Sequence, residues 1–281
     1  MQGVGARIAK LVLVLAVAPA LAHAHVGLDE IGRALDAELR RHPHDAETHV
    51  QRARAHLAAH EWDRALAQLA RAAAAGADPA VVGTLRGEAH LGAGRPRRAR
   101  RELDRVLARR PDAWGTLFLR GRAWIALGQP ARAADDFGRA IARLEAPQPE
   151  QVLARRDALL ALGRRADAVT ALDEGIARIG PVATLELAAV DLEVALGRWD
   201  AALARLERLC AANPPNPAWL ARRGDVLARA GRPAAAHAAW AEAVALIERR
   251  PAGRRAAFAD LHRQLVGRLA ASVPQPRDDL P

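Results

Sequence analysis

Five short glycine turns recur along this 281-residue chain at an almost fixed interval. Gly94, Gly128, Gly163, Gly197 and Gly231 are separated by 34, 35, 34 and 34 residues. A step of 34 back from Gly94 lands on His60, inside the similar segment Ala59-His60-Glu61-Trp62. A period of this length signals an array of one supersecondary unit, stacked so that neighbours bury together what a single unit cannot bury alone.

The residues around each turn say what the unit is. Seven positions before the turn stands a small residue in most copies: Ala53, Gly87, Gly121 and Gly224. Five positions after it stands alanine every time: Ala65, Ala99, Ala133, Ala168, Ala202 and Ala236. Four further on comes a large apolar residue: Leu69, Leu103, Phe137, Leu172, Leu206 and Trp240. A four-residue step keeps two side chains on one helical face, and small residues let two helices approach closely. Glycine ends the first helix in a left-handed conformation that other residues adopt at a cost. Pro96, Pro130 and Pro233 follow two residues later, where a helix start does not miss their N–H. Pro111 and Pro214 close the second helices of their copies. The unit is a helix–turn–helix hairpin.

These positions resemble the tetratricopeptide repeat family, whose period is 34, with a small residue inside the first helix, alanine and then a large residue in the second, and a closing proline. The third copy carries the pattern most fully, at Gly121, Trp124, Gly128, Ala133, Phe137 and Ala140. The resemblance covers residues 46–249 as six repeats, at about 46–79, 80–113, 114–147, 149–182, 183–216 and 217–250. It implies an all-α, right-handed α-solenoid. Arg156 and Val190 depart from the small first-helix residue, and Gly175 and Leu209 from the alanine late in the second helix. The fourth and fifth copies are therefore expected to pack less regularly.

Both ends suit the caps that a solenoid needs. Ile31, Leu35 and Leu39 predict a lone helix over residues 26–43. Phe258, Leu261, Leu265 and Leu269 give one apolar face to a final helix over 252–272, with Arg254, Arg255, Arg263 and Arg268 largely off that stripe. Residues 273–281, rich in Pro and Asp, read as a disordered tail.

The amino terminus has the three-part pattern of a secretory leader. Arg7 and Lys10 precede an apolar run from Leu11 to Ala22, and small residues follow at Ala20, Ala22 and Ala24. Cleavage after Ala22, or after Ala24 in the alternative frame, would make residues 1–22 a signal peptide and export the chain, with the bacterial periplasm as the expected compartment. No second long apolar stretch exists, so no transmembrane segment is expected in the mature chain.

The formal net charge of +10 would ordinarily suggest an anionic partner. Here Lys10 is the only lysine, and the abundance of Ala, Arg, Gly and Pro matches a GC-rich coding bias, which weakens that inference. One cysteine, Cys210, excludes a disulfide framework and reads as core packing. There is no phosphate-cradling glycine loop and no paired-histidine zinc helix, so no catalytic residue and no cofactor is assigned. Equivalent acids in adjacent repeats stand roughly 16–20 Å apart, whereas glycoside chemistry needs a carboxylate pair at ~5–10 Å.

What remains is a surface for binding. In the family, first helices line a concave groove. Carrying its ninth position over gives Arg54, Glu88, Arg122, Asp157, Asp191 and Asp225, with Phe118, Leu153 and Leu187 as apolar neighbours at the fifth position. The expected ligand is a protein or peptide segment whose basic groups face the Asp157–Asp225 end. A second patch spans Arg95 to Arg110, with eight arginines against two acids. Arg97, Arg98, Arg100, Arg101 and Arg105 are expected on the convex side, facing an acidic partner or anionic head groups. Nucleic acid is not expected, because aromatic residues do not interleave with the arginines. The resulting expectation is an exported, non-catalytic adaptor, scaffold or assembly factor. The alternative is a metal-handling accessory protein: seven of ten histidines lie in the first sixty residues. Cleavage after Ala22 would start the chain at His23-Ala24-His25, a nitrogen set suited to Cu(II) or Ni(II).

Overall fold

The computed structural model of the chain describes residues 21–271. Residues 1–20, most of the signal peptide expected over 1–22, and residues 272–281, with the tail expected over 273–281, lie outside the described residues. Among the described residues there is no strand, and no helix is long and apolar enough to cross a membrane. The chain divides into two compact units that meet between Leu144 and Glu145. That boundary falls within the one interval of 35, between Gly128 and Gly163.

The first unit opens with α1 (Leu21–Arg41), so both candidate cleavage points fall in its first turn. Three helical hairpins follow. They pair α2 (Ala46–Ala58) with α3 (Trp62–Ala74), α4 (Pro79–Gly92) with α5 (Pro96–Arg109), and α6 (Trp114–Ala126) with α7 (Pro130–Ala142). The second unit pairs α8 (Pro149–Ala161) with α9 (Arg165–Ile179), α10 (Ala183–Ala195) with α11 (Trp199–Ala212), and α12 (Pro217–Arg229) with α13 (Pro233–Glu248). It closes with α14 (Ala252–Arg255), a 3-10 turn over Ala256–Phe258, and α15 (Ala259–Ala271). The final helix expected as one piece over 252–272 is thus interrupted at Phe258.

Each hairpin turns the same way. The five turn glycines have φ between 67° and 73°. The amide after each glycine donates back across the turn, as from Arg95 to the His90 carbonyl at 2.8 Å and from Gln129 to the Trp124 carbonyl at 2.9 Å. This is the bond that satisfies an orphan carbonyl at a helix end. His60 occupies the same site in the first hairpin with φ 58°, and the Glu61 amide makes the same bond to the His56 carbonyl at 2.8 Å.

Close packing inside the hairpins follows from the small residues. The six recurring alanines of the second helices are all fully buried. A Cβ added to Gly87 would stand 2.5 Å from Leu103 Cδ2, and one added to Gly121 would stand 2.5 Å from Phe137 Cε1. Gly224 receives Trp240 in the same manner. Leu103 and Phe137, both fully buried, each contribute about 1.5–3 kcal/mol.

The fourth and fifth hairpins pack less closely than the other four, as their departing residues imply. In the fourth, Gly175 on α9 receives Val152 on α8, with a Cβ there only 2.6 Å from Val152 Cγ1. In the fifth, Val190 is fully buried and packs with Ala202, Leu203, Leu206 and Val226. At the far end, Leu265 on α15 is wholly buried against Leu220, Ala221, Ala243 and Ile247, which caps the last hairpin.

Candidate functional site

The first helices of unit one carry an exposed charged row. Arg54 on α2 and Arg122 on α6 are exposed, and Glu88 on α4 between them is half-buried. Burial pushes the Glu88 carboxyl above its ordinary range, and the neighbouring Arg122 and Arg54 charges oppose that rise without cancelling it. Among the described residues, neither arginine makes an ion pair. Phe118 is half-buried on the same helix as Arg122, its ring 5.0 Å from that of Phe137. Thr84 and Thr116 tie α4 to α6 through a 2.8 Å hydroxyl–hydroxyl hydrogen bond. Arg54, Glu88 and Arg122 therefore form a run of alternating sign along three neighbouring helices.

The corresponding residues of unit two are differently placed. Asp157 is exposed beside Arg156, whose Nε lies 2.8 Å from its Oδ1. Asp191 on α10 is ion-paired to Arg222 on α12. Asp225 accepts from Trp240 Nε1 at 3.0 Å and is ion-paired to Arg268 of the capping helix. Leu153 and Leu187 are half-buried, and Leu187 packs on the Val190 cluster. The acidic row read from the sequence thus meets arginines of its own chain. It joins helices of the unit and offers little uncompensated charge to a basic ligand.

The arginine-rich segment lies on α5, with Ala99, Leu103, Val106 and Leu107 turned into the core. Arg97, Arg98, Arg101 and Arg105 are exposed and Arg100 is half-buried. Arg105 pairs with Glu102 at 2.7 Å, and Arg100 with Asp104 at 2.7 Å.

Several of the amino-terminal histidines have structural partners. His49 is buried, its Nδ1 2.8 Å from Gln68 Oε1 and its Nε2 3.0 Å from the Pro43 carbonyl. His56 is buried with Nδ1 2.5 Å from Glu61. His60 holds the turn and stacks edge-on against Trp62. The side chains of His23 and His25 lie outside the described residues. Among the described residues, no three of His, Cys, Asp or Glu gather as a metal-ligand group. Cys210 is half-buried, and burial pushes its thiol up, away from the nucleophilic form.

Sequence reasoning missed the buried ion pairs. Immediately before the small first-helix position stands arginine in five of six copies: Arg52, Arg86, Arg120, Arg155 and Arg223. Arg120 grips the buried Asp136 with two 2.7 Å bonds and reaches Asp104 of the preceding hairpin at 3.0 Å. Those carboxylates hold its guanidinium firmly charged. Arg52 forks onto Asp36 of α1 at 2.8 and 2.9 Å. In the fifth copy Ala189 takes this place, and the cation comes from α11 instead. Arg205 lies 2.7 Å from Asp173, 3.3 Å from Glu186 and 3.4 Å from Glu193, with both glutamates buried. The period-34 arginine row was the available signal. Its partners, 16 or 19 residues away, only become neighbours once the hairpin closes.

Comparison with known proteins agrees with this architecture. Residues 84–149 and 187–254 match the tetratricopeptide repeat family profile. No curated protein matches the chain. Among solved structures, the C-terminal part of a TPR repeat-containing protein from Cytophaga hutchinsonii is similar at TM-score 0.64 and 13% identity, covering 86% of this chain and 94% of that one. A tetratricopeptide repeat protein from Parabacteroides merdae is similar at TM-score 0.50 and 15% identity, covering 88% and 93%. A chain of the APC/C hetero-tetramer Cut9-Hcn1 is similar at TM-score 0.53 and 18% identity, covering 74% of this chain and 40% of that one. The shared period, the glycine turns, the hairpin packing and these similarities identify residues 84–149 and 187–254 as tetratricopeptide repeats, in a chain folded as an α-solenoid of helical hairpins.

Proposed function

We propose that this chain is a non-catalytic interaction module that holds a polypeptide segment along the first helices of its repeats. The observation that carries the reading is the unit-one row: two exposed arginines without ion-pair partners among the described residues, flanking the half-buried Glu88. Repeat surfaces of this kind suit extended contacts rather than a deep reaction pocket. The fold similarity to a chain of a hetero-tetramer points the same way. The ligand chemistry follows from the charges. A segment with acidic groups toward Arg54 and Arg122, and a donor toward Glu88, would complement the row, with an apolar side chain against Phe118. This moves the contact from the Asp157–Asp225 end, where the acids already have arginine partners, to unit one.

Selection of random-sequence peptides on the full chain tests this reading. Enriched peptides should lose affinity for an Arg54→Ala/Arg122→Ala variant and keep it for an Asp157→Ala/Asp191→Ala/Asp225→Ala variant. The reverse pattern would move the site to unit two, and a failure to enrich any peptide would argue against a peptide groove.

The amino-terminal pattern supports export as an adaptor or assembly factor of the cell envelope. N-terminal sequencing of the protein recovered from its own cells should begin at His23 or His25. Recovery of the chain with residues 1–20 still attached would overturn the export reading.

A further inference from the structure

Away from the first-helix row, unit one carries two adjoining cavities whose walls are arginine-rich. One, of about 380 Å³, is lined by Arg97, Arg100, Arg101 and Arg132 together with Trp124 and Leu127. The other, of about 490 Å³, shares Arg97, Arg101 and Leu127 and adds Arg95 and Arg98. No carboxylate lines either cavity.

The arginines are not all alike. Arg95 is paired with Asp63 at 2.8 Å and Arg100 with Asp104 at 2.7 Å. Arg97, Arg98, Arg101 and Arg132 make no ion pair among the described residues. Like charges gathered in one concavity repel one another, so the free chain bears a cost there that a bound anion would relieve. One wall is also held in place. Asp136 fixes Arg120, Arg120 fixes Asp104 at 3.0 Å, and Asp104 fixes Arg100. The Arg100 and Arg132 guanidinium carbons lie 5.3 and 4.8 Å from the Trp124 ring centre. The indole is buried and already covered by these cations, so it orients guanidinium groups and offers no free face to a nucleobase.

We propose that this surface, built from α5 together with Trp124 and Arg132, is a binding site for a phosphoryl anion. A guanidinium fork matches phosphate oxygens in pairs, and a doubly charged phosphate answers several unpaired arginines better than a single carboxylate does. Two adjoining cavities that share Arg97 and Arg101 suit a ligand with two phosphoryl groups, or neighbouring head groups of an anionic bilayer. The site is separate from the first-helix row and uses none of Arg54, Glu88 or Arg122.

The test titrates the full chain with inorganic phosphate, pyrophosphate and an oligoglutamate peptide, and sediments it with phosphatidylglycerol or phosphatidylcholine vesicles. The variants are Arg101→Gln/Arg132→Gln and a charge-matched control, Arg165→Gln/Arg229→Gln, whose residues are exposed in unit two. Losing two charge-assisted contacts should weaken pyrophosphate binding by about tenfold or more, with the control near the parent. Binding to pyrophosphate identifies a free phosphoryl ligand as the source, and binding only to phosphatidylglycerol vesicles identifies lipid head groups. Either result, lost in Arg101→Gln/Arg132→Gln alone, supports the site. Equal losses in both variants would reduce the effect to net charge and overturn it. So would binding of oligoglutamate without phosphate or phosphatidylglycerol, or binding of no probe.

Discussion

The two units use one hairpin but differ in where they place their irregular residues. In unit one, Gly87 and Gly121 sit at the repeat's usual small position and receive Leu103 and Phe137. In unit two, Gly224 does the same for Trp240, but Arg156 and Val190 hold that position in the other two hairpins, which pack less closely. The units also treat the same surface register differently. Arg54 and Arg122 remain unpaired, whereas Asp191 and Asp225 are tied to Arg222 and Arg268. A repeat can therefore lose its small first-helix residue and still form its hairpin, with looser packing between the two helices. Charge in the groove register can likewise serve cohesion in one unit and remain available in the other.

The largest expected effect tests the buried compensation. Arg205→Ala strands Glu186, 1% exposed, and Glu193, 4% exposed, without their central cation. Breaking such a buried pair should cost about 3–5 kcal/mol in chemical denaturation. A loss near that of an exposed ion pair would mean that Arg198, 3.7 Å from Glu193, and Arg208, 3.8 Å from Glu186, suffice for the glutamates.

Next comes the small-residue rule. Gly121→Ala should cost about 1–3 kcal/mol through its clash with Phe137. Gly267→Ala, in α15 with nothing within 4 Å of the added Cβ, should instead gain about 0.5–1 kcal/mol. Equal effects at the two glycines would remove close approach as the reason for Gly121. His60→Gly should raise stability by roughly 1 kcal/mol, because the left-handed turn then carries no Cβ penalty. The melting temperature would show it.

Smaller effects separate the two charged rows. The raised Glu88 carboxyl binds a proton more readily folded than unfolded. Stability should therefore fall as pH rises from its unfolded value through its folded one. Glu88→Gln should stabilise the chain at neutral pH and do less in acid, as paired melts at the two pH values would reveal. Asp191→Ala removes only an exposed pair and should change stability by about 0.5 kcal/mol or less. A larger loss would make the Asp191–Arg222 contact a principal tie between α10 and α12.

Much of this architecture was legible in the sequence because period, turn and hairpin packing are local. Gly94 and Gly128 mark their own turns, and Ala99 with Leu103 marks its own helix face. The capping helices were legible from Leu35 and Leu265, both buried as an apolar stripe requires. The Arg205 cluster was hidden, because it is visible only when α9, α10 and α11 are laid together. The binding register was legible as positions but not as states. Whether Asp225 greets a ligand or Arg268 depends on a helix 43 residues away. Trp124 was read as a repeat residue, and its part in orienting Arg100 and Arg132 required their placement in space.

The most direct test of the interaction reading places a photo-crosslinking amino acid at position 122 or, separately, at exposed position 135 on α7 in the full chain. Irradiation in envelope extract should give a protease-sensitive adduct from position 122 and none from position 135. Adducts from position 135 alone would contradict the account, because the polypeptide would then lie on the second helices.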